Sequence, residues 1–508
     1  MRFSTLAAFS AAAFAVVATP VLCESGVDAA TCASASAAAS AASACAELTA
    51  VLPTGTVLTP SANSSAYVAA QSSSFNVLNS ALRPTCIVRP RSTLHVSVAM
   101  ARIFAHGAHY AVRAGGHTGM RGWDGVAAGV LLDLSLLTAF RYDAAARVVH
   151  VGPGLRWEQI YALAAPHGVA PLGGRVGHVG TGLLLGGGLS LLSPQHGYAC
   201  DGVVGVEVVL VDGRVREVDA TDALLRAIKG GGGRFGIVTR YTLRAFHTGT
   251  RAEKRWYAGT VTTLDRAGMD AMVQLTEEFV RADDDPRATM LANVGTLKQN
   301  GTTLWVGTTF LFYHGTRREF ERVFAGFLAI DGAAVDARPM SYHEATQLTP
   351  LGWSAGQAYK WLGGSLYPSH PSTYLSLWRN IQAFLTQHHA SLNTAFLSIT
   401  PVRTHQIEQG YRAGGNALSP PPGRSFMHWQ LSNILDPGAI AFPHALEQAR
   451  LRLIRDNPSS KGLPLLLNEV DASQSVFETY GWVEEMKKVY ASVDPTRFSV
   501  LHQQGPMF

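Results

Sequence analysis

Between Arg113 and Gly236 the chain carries three glycine clusters, RAGGH (113–117), GGRVGHVGTGLLLGGG (173–188) and KGGGGRFG (229–236). Glycine at the end of a strand or helix allows positive φ and lets backbone N–H groups approach a ligand closely, as in loops that cradle anionic phosphates. One such cluster alone reads as a tight turn; three in one domain, with Arg113 beside the first, indicate a single large ligand. The third cluster also excludes a fold. Gly231-x-Gly233-x-x-Gly236 has the spacing of the dinucleotide fingerprint, which works only when a strand precedes it and a helix follows. Here helical DALLRAIK precedes and strand-like IVTRYTL follows, so a Rossmann fold is rejected.

The rest of the chain reads as a multi-domain globular protein. Its 508 residues are 47% hydrophobic and 15% charged, enough for two or more cored domains. Basic and acidic residues (41 and 36) are mixed along the chain, with no Lys/Arg run to track a phosphate backbone, so nucleic acid is not expected as a partner. Residues 1–23 read as a secretory leader, with Arg2 ahead of an apolar stretch too short and alanine-rich for a stable membrane anchor. Residues 24–80 form an Ala/Ser-rich segment and lead-in that fits either a short helix or a mobile stretch, with order expected from RPTCIVRP onward. Over 81–248 short β-rich runs alternate with helical stretches, including a hairpin about Asp212-Gly213. Over 249–464 longer strands and amphipathic helices predict a second domain. The tail, 465–508, reads as a strand, a polar turn, a helix and an extended end.

Export favours a disulfide, and Cys45 with Cys86 is the expected pair because both flank the start of the first folded domain. Cys200, inside an apolar run, reads as a buried thiol. Asn63 and Asn300 stand in glycosylation acceptor triplets. No metal site is expected: His106, His109 and His117 lack ligand-spaced partners and no HExxH occurs. Nor do Ser135 and Ser193 lie in a nucleophile motif.

VRAGGH followed by GVLLDLSLL, then GGRVGHVGTGLLLGGGLSLLSPQHGYACDGVVGVEVVLVDGRV, then LLRAIKGGGGRFGIVTRYTL, resembles the FAD-binding domain of FAD-linked oxidases of the vanillyl-alcohol-oxidase and berberine-bridge-enzyme type. The tail, NEVDASQSVFETYG through VDPTRFSVLHQQGPMF, is similar to the short berberine-bridge C-terminal segment. The resemblance implies an α+β fold: a two-part PCMH-type FAD-binding domain, a second α+β substrate domain with an antiparallel sheet covered by helices, and a C-terminal segment returning to the FAD domain. It implies FAD joined covalently to His117, with Gly115, Gly116, Thr118 and Gly119 around the phosphates and Arg113 nearby. Gly180, Thr181, Gly182, Gly186 and Gly187 are then expected near the flavin and pyrophosphate, and Ser193, Tyr198, Gly236 and Val238 facing the cofactor. Relatives with a second covalent bond use a cysteine before the glycine triplet. None lies between Pro171 and Ser190, so a single link is expected.

The activity implied is hydride transfer from a small molecule, of a kind found in secondary metabolism, to FAD, with reoxidation by O2. A carbohydrate oxidase of the same fold and a non-oxidative flavoprotein cyclase stay open. Location on the secretory route, extracellular or vacuolar, follows from the leader. Many relatives place a tyrosine base second in an Asn-Tyr-x-Asp motif. This chain has Asn468-Glu469-Val470-Asp471, which makes Glu469 the candidate base, since a partly buried carboxylate near an apolar substrate has a raised pKa. Read as a strand, PLLLNEVD puts Glu469 and Asp471 on one side. His428, in SFMHWQL, is the alternative base. Trp353, Tyr359, Trp361 and Tyr367 favour an aromatic, closed pocket over a polar groove.

Overall fold

A computed structural model describes residues 29–282, 285–349 and 355–508, with 29–34 as backbone only. The expected leader and Trp353 lie outside the described residues. Three sheets form. In the first, Cys86–Val88, Val130–Asp133 and Tyr110–Arg113 run parallel, and Val57–Leu58 pairs antiparallel at one edge. A parallel sheet must be covered on both faces, and alternation along these strands does so. Val88, Val130 and Leu132 meet the helices Ala29–Val51 and Thr93–His106, whereas Ile87, Ala111 and Leu131 meet the helix Ser64–Gln71. The 93–106 helix is capped by Ser92 and ends at Gly107 with φ +60°.

Order thus begins well before Arg83, contrary to expectation. Residues 29–51 form a 23-residue helix. Its buried stripe is Ala41, Ala44, Cys45 and Leu48, the i, i+3, i+4, i+7 spacing of an amphipathic helix built from residues too small to show as hydrophobic periodicity. Cys45 is joined to Cys86 across 41 residues, stapling this helix to the first sheet. Loop-closure entropy for such a separation is worth about 4 kcal/mol. Reduction is expected to lower the unfolding free energy from denaturant titration by up to that amount, and non-reducing peptide mapping to recover Cys45 with Cys86; a Cys32–Cys86 peptide overturns the pairing.

The second sheet is antiparallel, in the order Phe140–Asp143, Val148–Val151, Ile237–His247, Val203–Val209, Val215–Asp219, with Val169–Pro171 on the far end of 237–247. The 203–219 hairpin turns at Asp212-Gly213, where Gly213 has φ +88° and Asp212 accepts from Arg214 N–H.

Seven antiparallel strands make the third sheet, in the order Ala334–Met340, Trp256–Thr263, Thr302–His314, Ala288–Gln299, Thr394–Val402, Phe426–Ile434, Tyr359–Leu366. Period-2 alternation divides its faces. Met290, Leu397, Met427 and Trp429 pack under the helices Arg266–Ala282, Thr373–His388 and His444–Asp456. Leu291, Ser398 and Gln430, on the other face, look into a cavity against the first two sheets. The α+β fold expected from the resemblance is therefore the one observed.

The tail departs from its expected form. PLLLNEVD makes no strand; Leu467–Glu469 is a 3-10 turn, and a short helix, Phe498–His502, precedes residues 503–508, which form neither helix nor strand. What anchors the tail is Arg234 in the third glycine cluster. Its buried guanidinium donates to the carbonyls of Pro506 (2.7 Å), Gln503 (2.9 Å), Gly505 (2.8 Å) and Ser499. Replacing Arg234 by Met leaves those carbonyls unpaired, and a loss of about 3–5 kcal/mol in unfolding free energy is expected from denaturant titration. An unchanged midpoint would show that the tail is held elsewhere.

Candidate active site

The first and second glycine clusters meet backbone to backbone. A Cβ placed on Gly115 would lie 2.5 Å from the Gly180 Cα, so only glycine permits this approach. The helix Trp157–Ala164 fixes the second cluster from behind, Trp157 Nε1 donating to Gly180 O (3.1 Å) and Tyr161 OH to Gly174 O (3.0 Å). Gly116 turns the first cluster with φ +66°, and its carbonyl accepts from Phe75 N (2.8 Å). That bond sets the Phe75 ring on the His117 imidazole, centroids 4.1 Å apart and 17° from parallel, with the His178 ring at 4.7 Å. Burial, reinforced by His178, pulls the His117 pKa down to about 3, leaving the ring neutral.

Of the expected cofactor residues, Gly115, Gly116, His117, Thr118, Gly180, Gly182, Gly236 and Val238 line the cavity. Other expected cofactor residues stand behind that wall. The Arg113 guanidinium braces the first cluster, Nε donating to Asp124 O (2.9 Å) and Nη1 to Ala70 O (2.7 Å) and Ser73 Oγ (3.0 Å). Gly119 packs against the Trp361 indole, and Thr181 Oγ1 donates to Pro153 O. The triplet with Gly186 and Gly187 is gripped by the tail, where Asn468 Oδ1 accepts from Gly188 N (2.9 Å) and Nδ2 donates to Leu183 O (3.1 Å). Ser193 Oγ accepts from Ser190 N.

Tyr198 and His428 are likewise drawn into structure. Ser365 Oγ donates to Pro464 O (2.6 Å), so it must accept from His428 Nδ1 (2.8 Å), which leaves Nε2 to accept from Tyr198 OH (2.9 Å). Both His428 nitrogens are engaged, the residue lies off the cavity, and burial pulls its pKa down to about 3. His428 is therefore not placed to take a substrate proton. Of the four expected aromatics, Trp361 lines the cavity while Tyr359 and Tyr367 do not.

Glu469 does face the cavity. Burial raises its pKa from the ordinary carboxylate range, and Arg175, with Nη2 3.6 Å from Oε1, opposes that rise. Arg175 was not singled out from sequence; the one signal was a charged residue inside the second glycine cluster. Asp124 is the other carboxyl at the wall, its pKa raised by burial against the pull of Arg113.

Residues 84–219 match the FAD binding domain family. An uncharacterized FAD-linked oxidoreductase of Arthroderma benhamiae is 33% identical over 285 residues, 55% of each chain. The FAD-dependent monooxygenase sdcF of Emericella nidulans is 35% identical over 273 residues, 53% of this chain and 55% of that one. The chain thus spans about half the length of these curated relatives. Among solved structures, 6-hydroxy-D-nicotine oxidase from Arthrobacter nicotinovorans superposes with a TM-score of 0.72 at 19% identity, over 88% of this chain and 96% of that one. Berberine bridge enzyme, in complex with (S)-reticuline, gives 0.71 at 17% identity over 92% and 99%. A carbohydrate oxidase from Microdochium nivale gives 0.71 at 20% identity over 92% and 100%. The chain carries an FAD-binding domain and shares the fold of these three solved structures.

The residues present suit FAD. Gly115 and Gly180 line the cavity where their backbones touch, at Gly116 a Cβ would meet the Arg113 side chain, and at Gly182 it would meet open space. Apolar Val112, Leu134, Ile237 and Val238 wall the remainder beside Tyr241.

Proposed function

We propose that the protein is an FAD-linked oxidase of a small organic substrate, with the flavin attached to His117 and Glu469 as the base. One observation carries this reading: His117, at the FAD-binding loops, and Glu469, from the returning tail, open into the same cavity, which the third sheet closes. Bound FAD supplies the hydride acceptor. The neutral His117 ring keeps a nitrogen lone pair for the covalent link, and its stacking on Phe75 limits rotation. Glu469 takes the substrate proton, while Leu291 and Trp361 keep bulk water from the opposite wall.

The secretory route, with glycans at Asn63 and at the exposed Asn300, belongs to the same proposal, as do the domain limits 81–248 and 249–464. Among the described residues no helix is long and apolar enough to cross a membrane. Anaerobic mixing with panels of alcohols, amines and sugars tests the activity. Bleaching of the flavin, with stoichiometric H2O2 on readmitting air, is the expected result. Label from 18O2 in the product replaces oxidation by monooxygenation, the activity for which the Emericella relative is named. Product without bleaching replaces it by cyclisation.

A further inference from the structure

The tail turn that carries Glu469 meets a glycine on each side. Toward the FAD-binding loops, a Cβ at Gly186 would collide with the Asn468 side-chain amide. Toward the third sheet stands Gly363, in the edge strand Tyr359–Leu366. Leu362 packs under the helices and Gly363 pairs with Gln430, so by alternation Gly363 lies on the cavity face of the sheet. There a Cβ would lie 2.5 Å from the Glu469 carbonyl oxygen and 2.8 Å from that of Trp429. Both obstacles are backbone, which cannot swing aside as the tip of a side chain does. The φ of Gly363 is not positive, so it is this close approach, and not the local conformation, that calls for glycine.

The edge of the sheet holds the turn there. An edge strand presents N–H and C=O groups that no neighbouring strand pairs, and here side chains take them up. Gln474 grips Gly363 twice, Nε2 donating to its carbonyl (2.7 Å) and Oε1 accepting from its N–H (3.1 Å), while the same Oε1 accepts from Asp471 N (3.0 Å). Buried Arg450, on the helix His444–Asp456, donates through Nη2 to both Trp361 O (2.9 Å) and Asp471 Oδ2 (3.0 Å). The segment after Glu469 is thus tied to the edge strand at Trp361 and Gly363, and Asn468, just before it, is tied to Leu183 and Gly188. A turn fixed at both ends and pressed between two backbones has one depth available, and from that depth Glu469 enters the cavity.

We infer that Gly363 is a positioning residue for Glu469: by lacking a side chain it sets how deeply the tail turn sits between the third sheet and the glycine triplet, and so where the carboxylate stands in the cavity. Gln474 holds the turn on that seat. The assignment rests on the proposed role of Glu469 as the base and adds the residues that place it. A methyl group at position 363 forces the Glu469 carbonyl back by about 1 Å to reach an ordinary contact. A displacement of that size costs up to about a hundredfold in rate when it moves a reacting group.

A double-mutant cycle on the holoenzyme tests this, read as the anaerobic rate of flavin reduction by whichever alcohol, amine or sugar of the panel bleaches the wild-type flavin fastest. Gly363→Ala is expected to keep its flavin and to reduce it about ten- to hundredfold more slowly than wild type. In the Glu469→Gln background the same substitution is expected to change the rate by no more than about twofold, because the group it displaces is already disabled. The acidic limb of the pH profile in Gly363→Ala should also move by about half a pH unit, since about 1 Å on the 3.6 Å separation from Arg175 alters the charge interaction by that much. Equal losses in the two backgrounds, or no loss in either, overturn the assignment. If Gly363→Ala does not retain flavin, Gln474→Met, which breaks the same seat at a half-buried position, decides by the same cycle. A Glu469→Gln protein that reduces at the wild-type rate removes the base, and this assignment with it; a slow Glu469→Gln beside a Gly363→Ala at the wild-type rate removes the assignment alone.

Discussion

Acid-precipitated wild-type protein stays yellow, and the His117→Ala pellet is colourless, its flavin released to the supernatant or never retained. This is the expected result if the imidazole carries the cofactor, and the effect should be near total. The structure supports it through the state of the ring. Burial and the neighbouring His178 hold the His117 pKa down to about 3, so the ring stays neutral across the whole working pH range. A protonated imidazole has no lone pair to give. Position is fixed as well, by the Phe75 stack and by Gly115 and Gly116, whose backbone path puts His117 at the wall. One flavin by mass, on the peptide containing His117, is expected. Pro171 to Ser190 contains no cysteine, and Cys200 is buried behind the wall. A colourless wild-type pellet overturns the attachment.

What could be read from sequence followed the strength of local signals. Glycine clusters are conspicuous, and their placement at strand and helix ends located the wall of the cavity without coordinates. Long strands such as 302–314 announced themselves by β-branched and aromatic content, and a helix such as 93–106 by its periodicity. The 29–51 helix did not, because an alanine stripe carries little hydrophobic contrast. PLLLNEVD read as a strand for the opposite reason. Its leucine run satisfies a buried strand locally, but the Asn468 bonds to Leu183 and Gly188, from 280 residues or more away in the chain, bend it into a turn. Arg113 illustrates a further limit. An arginine beside glycines suggests a phosphate, and only the fold reveals that its Nε and Nη1 donate to Asp124, Ala70 and Ser73. The Arg175 and Glu469 pair was beyond reach, since nothing local relates a glycine loop to a tail almost 300 positions later.

Glu469→Gln is expected to retain its flavin and its fold while the anaerobic rate of flavin reduction falls by roughly 10²–10⁴, the usual worth of a positioned general base. The glutamine keeps the length of the side chain and still presents an oxygen to Arg175, so the 3.6 Å contact keeps its shape while proton acceptance is lost. The pH profile separates chemistry from packing. A base works only when ionised, so the wild-type rate should rise with pH through the Glu469 pKa, which burial sets above the ordinary carboxylate range although Arg175 pulls against it. That acidic limb should be missing in the variant. The stability effect has the other sign. A carboxyl whose folded pKa is raised favours the fold most below its unfolded value, and that contribution is lost as pH rises through the folded one. At neutral pH, therefore, the substitution removes no stabilisation of this kind, and a slowed enzyme with an unchanged melting temperature has lost a base rather than a scaffold. Unchanged reduction kinetics in Glu469→Gln would instead confine this carboxylate to positioning Arg175.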